Sequence, residues 1–300
     1  MIEKTIKKAL FKESKLPVIQ NIKKAISEKK FNEKVEENDI ILNIKEKQKI
    51  VKKVEKKRNS LIYPVKNTVV NSVLNKLIKK VKILDEIEIE YNGKKEEMKK
   101  IKNGAIITLN HVHPLDFLPV LKLCKEEIKK KLYIIVEDSS FARHGIDGHI
   151  INYSNTILLT NLYSYLKKDF NKYIKEKIDE GNFVLIYPEE EMWINYKKPR
   201  PTKMGTYLCA AKYNIPIISC FLEIKEKVEK VSDEFKDVKF KIYIADIIEK
   251  KENLEIKDKA IYLKNRDFKA KKNMYEKIYN KKLDYTFEKE DIVGWIGKEL

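Results

Sequence analysis

Residues 105–136 read AIITLNHVHPLDFLPVLKLCKEEIKKKLYIIV: an apolar run, a polar break, an amphipathic stretch and a second apolar run. Residues 105–109 and 132–136 have the length of buried strands, and 115–130 between them has the length of a helix. A strand, a helix and a further strand in succession favour parallel pairing, with the helix covering one face of the sheet. The alternation continues outward. Strands are predicted at 156–159, 183–187, 215–220 and 240–244, and helices at 163–180 and 203–213. Upstream, Ile87, Ile89 and Tyr91 alternate with Glu88 and Glu90 and stop at Asn92-Gly93, a strand and its turn. The fold class expected is α/β: three layers, a mostly parallel sheet with helices on both faces, preceded by a helical N-terminal region. In such sheets functional groups collect where strands end and loops begin.

The flanks are helical in pattern. Ile2, Ile6, Ala9 and Leu10 recur at helical spacing with Lys4, Lys7, Lys8 and Lys12 on other faces, and Ile19, Ile22, Ala25 and Ile26 repeat the arrangement. These stripes suit packing on a core or a basic amphipathic surface lying on a membrane. Val70, Leu74, Leu77, Ile78 and Val81 form a stronger stripe, read as buried packing. The tail carries a predicted helix at 267–281 and a polar finish around Trp295. The division expected is a helical N-terminal region, 1–84, and a catalytic domain, 85–300.

Charged residues make up 37% of the 300-residue chain, well above the roughly 25% of ordinary domains, and the net charge is +18. The excess is lysine; arginine occurs only at 58, 143, 200 and 266. Such a charge draws a protein to anionic surfaces. The lysines are spread along the chain without zinc-finger spacing or an RNA-binding aromatic signature, so no specific nucleic-acid partner is expected and an anionic membrane surface is. The first residues hold no uninterrupted apolar stretch, and no run approaches the ~18 apolar residues of a spanning helix. Cys124, Cys209 and Cys220 are odd in number and suit a reducing compartment. The expected location is cytoplasmic, peripherally at the inner face of the membrane.

The chemistry concentrates in Asn110-His111-Val112-His113-Pro114-Leu115-Asp116, directly after a strand. Pro114 suits the first turn of a following helix, and Asp116 would fall in that turn, where the helix dipole favours a carboxylate. A loop doubling back from His111 to Asp116 would set the carboxylate on one imidazole nitrogen and leave the other free to take a proton. That is the base and orienting half of a triad, with a substrate hydroxyl as nucleophile. The plain alternative is a helix cap with incidental histidines. A metal site on His111 and His113 is the other alternative. The usual hydrolase pattern puts a carboxylate two residues after the second histidine and another histidine next, whereas here Asp116 stands three residues after His113 and Phe117 follows.

Asn-His, four residues and Asp resembles the first motif of the glycerolipid acyltransferase superfamily, which includes the 1-acylglycerol-3-phosphate acyltransferases. Leu185-Ile186-Tyr187-Pro188-Glu189 resembles the third motif, an apolar strand leading into Phe-Pro-Glu-Gly. Lys203-Met204-Gly205 resembles the Lys-x-Gly helix start, and Ile215-Pro216-Ile217-Ile218 the proline-bearing strand of the fourth motif. Order and spacing agree from Ile87 to Ile244, about half the chain. Two departures stand out. The stretch 155–160, NTILLT, lacks the arginine that closes the second motif. Glu190-Glu191-Met192-Trp193 replaces Gly-Thr-Arg-Ser.

The resemblance implies that a fatty acyl group passes from a thioester of coenzyme A or acyl carrier protein to a lipid hydroxyl, with no metal or other cofactor. His111 would be the base and Asp116 its orienting partner. Lys197, Lys198 and Arg200 would substitute for the missing phosphate-binding arginines, since arginine grips phosphate bidentately. Glu189 would orient the acceptor or this cluster, Trp193 and Tyr196 would line a pocket, and Arg143 would meet either substrate. The competing expectations are a metal-dependent hydrolase using His111 and His113, and a non-catalytic relative that binds anionic membranes.

Overall fold

A computed structural model describes residues 7–36, 40–81, 83–249, 251 and 253–298. Helices α1 (Leu16–Ser27), α2 (Ile44–Arg58) and α3 (Tyr63–Val81) come first. Then follow β1 (Glu88–Glu90), β2 (Ala105–Thr108), α4 (Phe117–Lys122), β3 (Leu132–Glu137), α5 (Gly145–Tyr153) and β4 (Thr156–Leu159). The chain continues through α6 (Asn171–Asp179), β5 (Phe183–Ile186), α7 (Gly205–Tyr213), β6 (Ile217–Lys230), β7 (Lys236–Ile248) and α8 (Ile256–Tyr279). The sheet runs β1-β7-β6-β2-β5-β3-β4, every pair parallel except β6 with β7.

Strands β2 and β5, AIIT and FVLI, are buried at every residue, as central parallel strands covered on both faces must be. On one face Ile107, Leu185 and Ile218 pack with Leu118 and Val120 of α4. On the other Ile106, Val184 and Ile217 pack with Ile174 and Ile178 of α6, Tyr207 and Ala210 of α7, and Ala260 and Leu263 of α8. This is the three-layer α/β arrangement the alternation predicts.

Several elements differ from the sequence reading. Strand β6 runs ten residues past Cys220 and pairs with β7 in a long antiparallel hairpin; residues 223–230 are charged except for Ile224 and Val228, so no apolar run marks this half of the strand. Helix α8 starts eleven residues before the predicted one, its early turns packing through Ala260 and Leu263. Ile19, Ile22, Ala25 and Ile26 of α1 are buried against Trp193, Tyr196, Phe235 and Trp295, so that face belongs to a core. Ile2, Lys4 and Ile6 lie outside the described residues.

The stripe expected to be buried on α3 is not. Val70, Leu74 and Ile78 are only half-buried, and Leu77 is exposed together with Val65, Val69 and Val73. The side chain of Val81 lies outside the described residues. What faces the domain is a ladder of amides. Asn67 donates to the Tyr153 carbonyl (2.9 Å) and to Asn155 (3.2 Å), Asn71 donates to Asn155 (3.1 Å), and Lys125 donates to Asn75. Spacing alone shows an apolar face but not which way it is turned.

Behind β2 a charged group is sealed into the core. Thr108 donates to Asp267 Oδ1 (2.7 Å), Lys271 donates to Thr108 (2.8 Å) and pairs with Asp267, and the Tyr207 hydroxyl donates to Asp267 Oδ2. Burial pushes the Asp267 carboxyl up, but the Lys271 ammonium and these hydrogen bonds outweigh it and hold the carboxyl below its ordinary 3.8. The depressed value makes the stabilisation complete above that pH and loses it as pH falls below. Lys271→Met strands an unpaired buried carboxylate and should cost about 3–5 kcal/mol at pH 7 in urea unfolding. The gap from the parent should narrow as pH falls and should begin to do so above pH 3.8, because burial without the ammonium raises the variant's carboxyl and protonation then relieves the stranded charge.

Candidate active site

Two loops at the carboxyl ends of adjacent strands, β2 and β5, meet to form the site. Just past β2 the Asn110 side-chain amide ties the chain to β6, donating to the Leu222 carbonyl (3.1 Å) and accepting from the Leu222 N–H (2.7 Å). The backbone then folds around one carboxylate. Asp116 Oδ2 accepts from His111 Nδ1 (2.8 Å), from the Val112 N–H (2.9 Å) and from the His113 N–H (3.2 Å). Asp116 Oδ1 accepts from the Tyr187 hydroxyl (2.6 Å). Because residues 111–116 curl back on this side chain, the helix begins at Phe117 and not at Pro114, and Asp116 caps no downstream N–H. A carboxylate is acceptor-only, so the neutral His111 ring carries its proton on Nδ1 and its lone pair on Nε2. Nε2 makes no hydrogen bond among the described residues, and the side chain keeps 22% of its surface exposed. A base with a free lone pair and an oriented back side results.

The β5 loop supplies the floor. The Tyr187 ring stacks on His111, centroids 3.8 Å apart at 17°. Glu189 is fully buried; its carboxylate accepts from the Arg200 N–H (2.9 Å), from Arg200 Nε (3.0 Å) and Nη2 (2.9 Å), and at 3.4 Å from the His111 N–H. Arg200 also donates to the carbonyls of Phe31 (3.0 Å), His111 (3.4 Å) and Glu191, with its guanidinium 4.4 Å over the Trp193 ring. Burial draws its pKa down and Glu189 draws it back up, burial prevailing. Glu190 takes φ +68°, the left-handed region that favours glycine, at the place where Phe-Pro-Glu-Gly has its glycine.

The structure brings His111, Asp116, Glu189 and Arg200 together and leaves the other expected residues elsewhere. Lys197 and Lys198 turn to the C-terminal segment. The first donates to the Glu290 carbonyl (2.7 Å); the second pairs with Asp291 (2.8 Å) and donates to the Thr286 carbonyl (2.7 Å). Lys198 and Arg200 are buried with their donors taken up inside the protein, so the exposed cationic clamp expected from KKPRP is absent from this face. Trp193 is buried in the α1 cluster, its indole donating to the Glu33 carbonyl (3.0 Å), and Tyr196 lies buried beside it. Arg143 stands exposed beyond the end of β3. His113 does not share a site with His111. Its ring is buried between Phe11 (5.8 Å) and Phe240 (5.1 Å), and its Nδ1 accepts from the Leu115 N–H (3.0 Å).

Two contributors escaped the sequence reading. Asn32 donates to the Glu189 (3.0 Å) and Pro201 (2.8 Å) carbonyls from a stretch with no distinguishing pattern. Tyr187 had a visible signal, a tyrosine where the resembling motif has phenylalanine. A cavity of about 750 Å³ opens elsewhere, between residues 85–88 and the tip of the β6–β7 hairpin, lined by Glu, Asp and Lys side chains together with Val228.

Residues 88–223 match the family model described as Acyltransferase. No curated protein matches the chain significantly. Among solved structures the chain is similar to the 1-acyl-sn-glycerophosphate (LPA) acyltransferase PlsC of Thermotoga maritima. Identity is 12%, the TM-score 0.47, and the match covers 77% of this chain and 88% of that one.

Burial lowers the His113 pKa from 6.5 to about 4, with Asp116 opposing, so the folded ring stays neutral where the unfolded one protonates. The unfolded state therefore binds more protons between those values, and stability rises with pH across that window by on the order of 3 kcal/mol. Urea titrations at pH 4.5, 5.5 and 6.5 should show this slope. It should flatten in His113→Phe.

Proposed function

With residues 88–223 forming an acyltransferase-family domain, we propose that the chain moves a fatty acyl group from a thioester of coenzyme A or acyl carrier protein to the hydroxyl of a lysophospholipid-type acceptor, with His111 as general base. The observation that carries this reading is the 2.8 Å bond from His111 Nδ1 to Asp116 with Nε2 left unpartnered. Nε2 takes the proton of the acceptor hydroxyl as its oxygen bonds to the thioester carbonyl carbon. The carbon–sulfur bond then breaks, and the imidazolium returns the proton to the departing thiolate. Asp116 keeps the tautomer and stabilises the imidazolium. Glu189 and Arg200 act as a brace, one holding the N–H and the other the carbonyl of His111. Lys197 and Lys198 anchor the loop that carries the brace.

Labelled acyl thioester offered with a panel of lysophospholipids and neutral alcohols, read by lipid mass spectrometry, tests the reading. The parent should acylate a lysophospholipid, and His111→Ala should lose about 10²–10⁴ in rate while unfolding normally. A parent that acylates no hydroxyl, or a His111→Ala protein as fast as the parent, overturns it.

The reading extends to where the enzyme works. Helix α3 turns Val65, Val69 (55% exposed), Val73 and Leu77 to solvent, continuing a patch with Leu61 (96%) and Ile62, while Ile41 (92%) and Ile44 at the start of α2 are also exposed. Residues 40–81 hold twelve basic and two acidic side chains. Burial first, then the neighbouring Lys53 and Lys66, pull Lys57 down to about 8. An apolar stripe within basic side chains is the complement of an anionic bilayer surface. Among the described residues no helix is long and apolar enough to cross a membrane. Pelleting with phosphatidylglycerol vesicles should exceed pelleting with phosphatidylcholine vesicles, weaken as salt rises, and fall at least fivefold in Val69→Glu/Val73→Glu. Equal pelleting of parent and variant would remove α3 from the membrane contact.

A further inference from the structure

We propose that Tyr187 is the positioning residue of the His111–Asp116 pair, holding the imidazole with its ring and the carboxylate with its hydroxyl. The inference rests on the acyltransfer reading for its kinetic arm alone. Asp116 has two oxygens, and three donors converge on Oδ2. Oδ1 has the Tyr187 hydroxyl, at 2.6 Å, as its hydrogen-bond donor. A buried carboxylate oxygen without a donor is costly, and a carboxylate gripped at one oxygen only can pivot about that oxygen. Tyr187 closes that freedom. Its ring lies 3.8 Å from the imidazole at 17°, so the plane of His111 is set by the same side chain. Phenylalanine, the residue of the resembling motif, would keep the stack and lose the bond. This chain has therefore added a fourth donor to its orienting carboxylate.

The added donor has an electronic consequence. Each hydrogen bond to Asp116 draws charge from the carboxylate and weakens its pull on the Nδ1 proton of His111. Burial and then the Asp116 charge hold the Tyr187 hydroxyl well above its ordinary value, so it stays a donor through neutral and mildly alkaline pH.

The test compares the parent with Tyr187→Phe and Tyr187→Leu. The first readout is the low-field proton NMR resonance of His111 Nδ1–H, identified by its absence in His111→Gln, and it requires no turnover. In Tyr187→Phe the resonance should move further downfield, because Asp116, relieved of one donor, binds the remaining ones more strongly. The second is steady-state kinetics: kcat should fall about tenfold in Tyr187→Phe with both KM values unchanged, because Tyr187 acts through Asp116 and touches neither substrate. Tyr187→Leu, which also removes the stack, should fall further. An unmoved Nδ1–H resonance in Tyr187→Phe, or a parental kcat, overturns the proposal. A parent without acyl transfer whose resonance still moves in Tyr187→Phe would overturn the proposed function and uphold the role of Tyr187.

Discussion

The buried pair of Glu189 and Arg200 ties the segment after α1 to the loops that the pairing of β2 and β5 has already brought side by side. Removing two charges from water costs several kcal/mol each, recovered only when geometry is good and the remaining donors are satisfied. Here the condition is met by the backbone. Arg200 spends its other N–H groups on the carbonyls of Phe31, His111 and Glu191, and Glu189 spends its carboxylate on the N–H groups of Arg200 and His111. The β2 loop, the β5 loop and the segment after α1 all bond to this ion pair, and the place where they meet is the site. A lysine, one charged nitrogen on a flexible stem, could not supply donors in so many directions.

The same economy governs the charge of the loop that follows β2. One carboxylate, Asp116, organises residues 111–116 by accepting two backbone N–H groups and an imidazole, and the turn it closes delays the helix by a few residues. The two histidines of the loop consequently part ways. His111 keeps solvent access and an unpartnered nitrogen, whereas His113 goes into an aromatic core where its charged form is disfavoured. Two histidines with one residue between them thus acquire different environments, one from its bond to Asp116 and its solvent access, the other from burial.

Surface charge is arranged with equal economy around α2 and α3. Lysine is abundant everywhere in the chain, so its count alone identifies no partner. Its coincidence with an outward apolar stripe does distinguish this region, because the amides of Asn67, Asn71 and Asn75 occupy the inward side of α3. The N-terminal helix α1 is the opposite case. Its apolar face is packed against aromatic residues of the C-terminal half, among them Phe235 and Trp295, and has no surface left to offer.

Local pattern was enough to determine the strand–helix alternation, the continuous apolar runs of β2 and β5, and the placing of His111 at a strand end with Asp116 within a loop's reach. These depend on residues near one another in the chain, where periodicity and loop length set what is possible. What the tertiary structure decided depends on partners distant in sequence. Arg200 reads as an exposed phosphate ligand until Glu189 and the carbonyl of Phe31 are seen to absorb it, and Lys198 likewise until Asp291 arrives from the far end of the chain. The charged outer half of β6 lies beyond the strand predicted at 215–220 and becomes strand only because β7 supplies its antiparallel partner. The stripe of Val70, Leu74, Leu77 and Ile78 reads as core until three asparagines find their acceptors and a lysine donor on the other side of the helix. In each case the residue's own character left several environments open. The choice among them fell to the desolvation and hydrogen-bond balance of groups that only folding brings within 3 Å or so.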